Sequence, residues 1–375
     1  MSEAAPHVLL AATSYPRDDE DWRGRFIHDQ AAALARSGAR VALWAPPGKL
    51  PAGVVSALSG ADAPWLEQLL QRGGIAHLLR HRPVAGAIAG WRLLRRLRRA
   101  CAASEADVFL VNWLQNALAL PDDRRPAIIT VLGSDLRLLN LPGMTCSLRR
   151  RVQRRPTLLA PNAEWMAPRL RMFFGGEVRV AAIPFGVDAA WFGLQRWLQP
   201  QPAANGWLLV SRITAAKLGR LQQWGEGLFG PQRPLHLLGP AQEALTLPAW
   251  VSRHGPTHPQ ALRRQWFPAA CGLLSLSSHA EGRPQVLIEA MAAGLPVIAS
   301  NIAAHADLIR HGETGWLVND AAALAQALAE AEDEAVARRV GAAAHAYVRE
   351  HIGDWDDCAR RYRVAIDGLM QPMAR

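Results

Sequence analysis

Two glutamates eight positions apart, Glu281 and Glu289, bracket the segment best equipped for chemistry, which runs His279-Ala280-Glu281-Gly282-Arg283-Pro284-Gln285 into Val286-Leu287-Ile288-Glu289. The pattern reads as a loop after a strand that opens a helix, with Pro284 suited to the first helical position. The free N–H groups of Gly282, Arg283 and Gln285 would face an anion lying at that terminus. Glu289 falls about two turns on, where its carboxylate can accept hydrogen bonds from a ribose diol, and Glu281 stays in the loop beside the next group of such a ligand. Taken alone, two such residues are better read as an acid favoured by the helix dipole and a solvent-facing glutamate. Upstream, Arg212 and Lys217 lie in Ser211-Arg212-Ile213-Thr214-Ala215-Ala216-Lys217. A guanidinium fork and an ammonium point charge can together neutralise a diphosphate, or they are two surface cations. Lys217 is one of only two lysines among 42 basic residues. His279 and His305 each read as a sugar or phosphate ligand or as a loop histidine that touches nothing.

These residues need elements to carry them. Strand-like runs at His7–Ala12, Val41–Trp44, Val108–Asn112, Ala127–Leu132, Thr157–Ala160 and Val178–Ile183 alternate with helical spacing at Gly24–Ser37, Val84–Cys101 and Glu164–Phe173. That alternation predicts a parallel sheet with helical crossovers. A Gln/Pro-rich stretch from Gln195 to Asn205 interrupts it, and strands resume at Trp207–Arg212, Leu235–Leu238, Gly272–Leu276, Pro296–Ala299 and Gly315–Val318. The expected organisation is an N-terminal domain at 1–190, a linker at 191–205, a second domain at 206–352 and a closing helix at 353–375. A length of 375 residues, half of them apolar, suits two α/β domains.

Several function classes are excluded. No G-x-G-x-x-G follows the first strand and no G-x-x-x-x-G-K-[ST] occurs, which argues against nicotinamide and P-loop nucleotide chemistry. The four cysteines form no C-x-x-C pair, so neither a zinc site nor a disulfide framework is expected. Asp18-Asp19-Glu20-Asp21 reads as a solvated loop rather than a metal cluster. The net charge of +10 is concentrated: 24 Arg and Lys49 against 16 acids through Ala190 give +9, and the remainder gives +1. Such asymmetry points to an anionic partner for the first half. Aromatic residues are not interleaved with the arginines as stacking platforms, so nucleic acid is not that partner. The N-terminus lacks the pattern of a signal peptide and no apolar run is long enough to span a bilayer.

The ordered pattern Glu281-Gly282-Arg283-Pro284 through Glu289-Ala290-Met291-Ala292-Ala293-Gly294-Leu295-Pro296-Val297 resembles the paired-glutamate signature of glycosyltransferase family 4. Arg212 and Lys217 match that family's diphosphate-gripping pair, and Gly24-Arg25-Phe26 its glycine loop near the donor phosphates. Ile183-Pro184-Phe185-Gly186-Val187-Asp188, Gly133-Ser134-Asp135, the strand Val108–Trp113 and Asp354-Trp355 match further stretches in the family's order. The resemblance implies an α/β chain of GT-B architecture, two Rossmann-like domains facing a central cleft. It implies a retaining hexosyltransferase-type enzyme that moves a sugar from a UDP- or GDP-linked nucleotide-sugar to a hydroxyl of a glycan or lipid-linked acceptor. Glu281, Arg212 and Lys217 are then catalytic. Glu289, Gly282, Arg283, Pro284, Gly24 and His279 bind the donor, and Asn112, Trp113, Ser134 and Asp135 lie on the acceptor side. No metal and no cofactor beyond the donor is implied. The chain departs from the family at Leu132 (usually His), Arg283 (usually Phe), Phe185 (usually Asn) and Ala303-Ala304 (usually Gly-Gly). These departures motivate a second reading, a non-catalytic GT-B protein that binds a nucleotide-sugar or anionic glycan.

The run Trp91–Arg99 places Leu93, Leu94 and Leu97 on one helical face and Arg92, Arg95, Arg96 and Arg99 on another. With the cluster Arg149-Arg150-Arg151, Arg154-Arg155, it predicts either a solvated surface over a packed helix or attachment to an anionic membrane. The expected location is the cytoplasm, and the second option places the protein at the cytoplasmic face of the membrane.

Overall fold

A computed structural model describes residues 5–199, 206–279 and 281–371. The chain forms two units, one of Met1–Phe185 with Trp355–Arg375 and the other of Gly186–Asp354.

The first unit is built on a seven-stranded sheet: β1 (His7–Ala11), β2 (Arg40–Trp44), β3 (Val54–Ser56), β4 (Val108–Asn112), β5 (Ala127–Val131), β6 (Thr157–Pro161) and β7 (Arg179–Val180). Their spatial order is β3-β2-β1-β4-β5-β6-β7, and every pairing is parallel. Alternate residues enter opposite cores, as the two-residue period of a strand requires. Leu9, Phe109 and Ile129 face the core that includes Leu93 and Leu97. Val8, Val108 and Ile128 face the one that holds Ile27, Leu34, Trp355 and Tyr362. The helices Arg25–Arg36 and Trp355–Met370 thus cover one face of the sheet together, tied by Arg36 to Asp356 at 2.6 Å. Of the expected strand Val178–Ile183, Arg179–Val180 forms the edge strand, and beyond it Ala181 and Ile183 still donate their N–H groups to the Leu159 and Pro161 carbonyls of β6 at 3.2 and 2.9 Å. The short edge strand β3 went unread, three residues being too few to show a period.

The second unit carries β8 (Trp207–Val210), β9 (Leu235–Leu238), β10 (Val251–Gly255), β11 (Gly272–Ser275), β12 (Val297–Ser300) and β13 (Trp316–Val318). Its order is β10-β9-β8-β11-β12-β13, again all parallel. The unit begins at Gly186, earlier than the expected linker. Trp191 and Phe192 are buried in its core beside Phe267, and Arg196 is buried with Nη1 donating to the Gln199 carbonyl at 3.2 Å. The polar spacing around 195 reads as a linker because the partners that bury these side chains lie 70 or more residues away. Residues 200–205 of the expected linker lie outside the described residues. Among the described residues no helix is long and apolar enough to cross a membrane.

Candidate functional site

In each sheet the strand order reverses once, between β1 and β4 and between β8 and β11. Connections leaving the two strands at such a point run to opposite faces of the sheet, which opens a crevice at their carboxyl ends where ligands bind. Gly24, Trp113, Arg212, Lys217 and the Glu281–Glu289 segment fall on those four connections, whereas Asn112 ends β4, Ser134 and Asp135 follow β5, and His305 follows β12.

In the second unit, β8 leads into Ser211–Thr214 and β11 into Leu276–Pro284. Thr214 caps the short helix Ala215–Leu218, its Oγ1 accepting from the Lys217 N–H at 3.2 Å, and Glu243 accepts from the Ala215 N–H at 2.8 Å. The two connections are fastened together where Ser278 donates its N–H to the Ala216 carbonyl at 2.9 Å and Arg220 donates to the Leu276 carbonyl at 3.3 Å. Gly219, at φ 55°, permits this approach, since a Cβ there would lie 1.8 Å from the Leu276 oxygen. The result is a contact across 64 residues of sequence: the Lys217 ammonium donates to Oε2 of Glu281. The other oxygen of that carboxylate, Oε1, is buried and accepts no hydrogen bond within the protein. A buried acceptor without a donor in the protein is costly, and a hydroxyl or amide donor is the kind of group that satisfies it. Arg212, half-buried on the same connection as Lys217, donates to Gln242 Oε1 at 3.3 Å.

The remaining residues of the segment are placed around this pair. The His279 N–H donates to Ser277 Oγ at 3.0 Å, and Gly282 and Pro284 are buried. Pro284 precedes the first helical turn instead of occupying it, with ψ 116°, and the helix runs Gln285–Ala292 with Glu289 half-buried on it. The Arg283 side chain does not turn outward. Its Nη2 lies 2.5 Å from Oδ2 of Asp307, and both side chains are nearly buried. His305, expected in a loop, is fully buried in the helix Ala303–Ala306; its Nδ1 lies 2.7 Å from the Ser300 carbonyl and its Nε2 3.4 Å from Ser275 Oγ. Burial lowers the pKa of this imidazole. Ser300 Oγ donates to the Ser277 carbonyl at 2.6 Å, so this polar group supports the Glu281 connection from beneath. Ser277, Ser300, Asp307 and Thr214 were missed from sequence, where isolated small polar residues carry no distinguishing pattern. Replacing Thr214 by Ala removes the cap that orders the Lys217 turn, and a loss of about 1 kcal/mol of stability is expected in chemical denaturation.

In the first unit the corresponding crevice is lined differently. Gly24, at φ 65°, opens the helix Arg25–Arg36, and a Cβ there would lie 2.6 Å from the Ser14 carbonyl carbon. Phe26 stacks on Phe185 at 5.3 Å between centroids and meets the edge of Trp113 at 5.9 Å. Leu132 packs against the same core. Trp113 has φ 65° and ψ 128°, a backbone region that costs a bulky residue about 1–3 kcal/mol and persists only where its surroundings impose it. The Asp135 carboxylate imposes it, accepting from the N–H groups of Leu114 and Leu132 at 3.0 Å each. Asp135 is therefore a buried brace between two connections, and burial raises its pKa even though those N–H groups oppose the shift. Asn112 is likewise buried, with Nδ2 donating to Gln30 at 3.2 Å, while Ser134 is exposed. Of the four expected acceptor-side residues, Ser134 is exposed, Trp113 is half-buried against the core, and Asn112 and Asp135 are interior. In the acidic loop, Asp18 accepts from the N–H groups of Glu20 and Asp21, and Asp19 pairs with Lys49 at 2.6 Å.

Comparison with known proteins decides the fold. A sucrose-phosphate synthase from Thermosynechococcus elongatus superposes over 97% of this chain and 99% of its own, with a TM-score of 0.70 and 17% identity. Anabaena HepE, solved in complex with UDP-glucose, superposes over 97% of this chain and 100% of its own, with a TM-score of 0.63 and 17% identity. The fold is GT-B. Within this GT-B chain, residues 230–333 match the family model described as Glycosyl transferases group 1. An exopolysaccharide phosphotransferase of Streptomyces coelicolor is 33% identical over 156 residues, 40% of this chain and 14% of that protein. A D-inositol 3-phosphate glycosyltransferase of Streptomyces scabiei is 37% identical over 131 residues, 30% of this chain and 29% of the relative. The chain thus aligns with less than a third of the length of these sequence relatives.

Proposed function

We propose that the protein transfers a sugar from a nucleotide-sugar to a hydroxyl of a glycan or lipid-linked acceptor, with retention at the anomeric carbon. The observation that carries this reading is the Lys217–Glu281 pair at the strand-order reversal of the second unit, with Glu281 Oε1 left for a ligand. The second unit holds the donor. Glu289 accepts from the ribose diol, Glu281 Oε1 accepts from a hydroxyl of the donor sugar, and the N–H groups around Gly282 face the phosphates. As the bond between sugar and diphosphate breaks, negative charge grows on the leaving phosphate oxygen, and Lys217 and Arg212 stabilise it. The first unit takes the acceptor, with the half-buried Trp113, the exposed Ser134, and Asp135 holding the Trp113 turn. HepE, which shares the fold, was solved with UDP-glucose, and this makes UDP-glucose the first donor to test.

Glu289→Gln keeps size and removes charge. Calorimetric titration with UDP- and GDP-sugars is expected to show donor affinity reduced about 10- to 150-fold, the equivalent of a charge-assisted hydrogen bond of about 1.5–3 kcal/mol. Equal affinity in both proteins would remove the ribose assignment. A second reading, donor binding without turnover, is favoured by Leu132, which supplies an apolar side chain packed on the Val8–Leu10 face where the family usually has an imidazole. The same titration combined with an assay for release of nucleoside diphosphate separates the two: binding with no release selects the second.

A further inference from the structure

The helix Pro83–Ala103 lies over the first unit's sheet by a face that includes Gly86, Leu93, Leu97 and Cys101, all buried. At Gly86 a second helix, Gly74–His81, crosses so closely that a Cβ would lie 2.6 Å from the Leu79 nitrogen. The sequence pattern anticipated Leu93 and Leu97 as an apolar face, and that face is spent on the core. The opposite side of the helix is the unexpected one. Val84, Ile88 and Trp91 recur at four- and three-residue spacing and are 75%, 47% and 59% exposed, with Leu79 of the crossing helix at 48%. Four of the eleven large apolar side chains exposed among the described residues fall within these thirteen positions.

The charges around them are of one sign. Between Glu67 and Glu105 the sequence carries eight arginines and no acid. Arg96 is committed inward, its Nη1 2.7 Å from Asp62 and its guanidinium over Trp65, and Arg98 pairs with Asp122. Arg151 and Arg154 of the second basic cluster also converge on Asp122, and the buried Arg155 donates to the Pro121 carbonyl, so three of that cluster's five arginines are engaged within the chain, while Arg149 and Arg150 stay exposed without the exposed large apolar sequence neighbours found beside Arg92 and Arg95. Arg72, Arg80, Arg82, Arg92, Arg95 and Arg99 remain exposed, with Arg95 stacked over the Trp91 ring at 5.3 Å.

We propose that the outer face of the helix pair Gly74–Ala103 docks on an anionic lipid surface, with Val84, Ile88 and Trp91 entering the boundary between headgroups and acyl chains. Aliphatic side chains ringed by arginine suit that boundary, and tryptophan is enriched there. A second copy of the chain is disfavoured, since a two-fold contact through this face would set six arginines against the same six. A nucleic acid would satisfy the arginines and leave the aliphatic side chains unused. The inference rests on this surface alone and is independent of the transfer reaction.

The test is co-sedimentation of the whole chain with phosphatidylcholine vesicles, pure or containing about 30% phosphatidylglycerol. The wild type is expected to partition to the anionic vesicles only and to be released in 1 M salt, where the screening length falls from about 10 to about 3 Å. Changing Arg92, Arg95 and Arg99 together to Gln is expected to lower the partition coefficient on the order of 100-fold, each cation contributing roughly fivefold. Ile88→Gln with Trp91→Gln is expected to weaken binding with the arginines intact. All five positions are exposed, so unchanged circular dichroism is expected, and it certifies each variant. Equal partition to both vesicle types, or full binding by both variants, overturns the proposal. So does self-association that Ile88→Gln with Trp91→Gln abolishes, or oligonucleotide binding without vesicle binding.

Discussion

Lys217→Gln is expected to lower the turnover of sugar transfer by roughly 10²- to 10³-fold, the range found when one preorganised donor to a developing oxyanion is removed. The ammonium is held by Glu281 and by the capped turn Ala215–Leu218 before any substrate binds, so little reorganisation is needed at the moment of bond cleavage. The charge it meets is larger on the leaving diphosphate than on the intact donor. The loss is therefore expected in kcat more than in donor affinity, the pattern of an interaction realised chiefly in the transition state. Release of nucleoside diphosphate from the donor, followed alongside calorimetric donor binding, distinguishes the two. A variant that keeps turnover within a few-fold of wild type would deny Lys217 this role. Equal losses in affinity and turnover would make it a ground-state ligand. Melting curves are part of the measurement, because the substitution also removes the partner of a half-buried carboxylate.

Arg283→Met is expected to destabilise the second unit by about 3–5 kcal/mol, the cost of leaving one member of a buried ion pair without the other. The Arg283 and Asp307 side chains retain 8% and 7% of their exposure and meet at 2.5 Å. Neither charge is solvated enough to tolerate the loss. For a unit of this size each kcal/mol moves the melting temperature by roughly 2–4 °C, so a drop of roughly 6–20 °C should be visible by circular dichroism or calorimetry. Changing Asp307 to Leu in the same protein removes the other charge of the pair, and much of the stability is expected to return. A single variant as stable as wild type, or a double variant no better than the single, would show that the pair is not what holds the start of the helix Gln285–Ala292 to the helix Ala303–Ala306.

Both predictions rest on contacts between residues far apart in sequence, and this marks the division between what the chain's sequence determined and what its tertiary structure decided. Alternating apolar runs are a local property: a strand buried on both faces must be apolar throughout, and a crossover helix must repeat every three to four residues. The sequence by itself therefore determined two parallel-sheet units, placed eleven of the thirteen strands, and located the Glu281–Glu289 segment at the end of a strand. It could not read β3 or β10, edge strands with one neighbour and little apolar pattern. Which charges would meet was beyond it, because Arg283 and Asp307, Lys217 and Glu281, and Asp135 and the Leu114 N–H come together only through sheet order and crossover geometry. Nor could it tell that Asp135 and Asn112 turn inward while Trp113 takes a left-handed backbone between them. The helix Pro83–Ala103 shows the reason most directly. Its periodicity shows Leu93, Leu94 and Leu97 as the apolar face and arginines on the other side, and it does not mark Val84, Ile88 and Trp91 among those arginines as a second apolar stripe. Packing put Leu93 and Leu97 into the core as their period required, and set Gly86 against the crossing helix, where a Cβ would lie 2.6 Å from the Leu79 nitrogen. Val84, Ile88 and Trp91 were left outside among arginines.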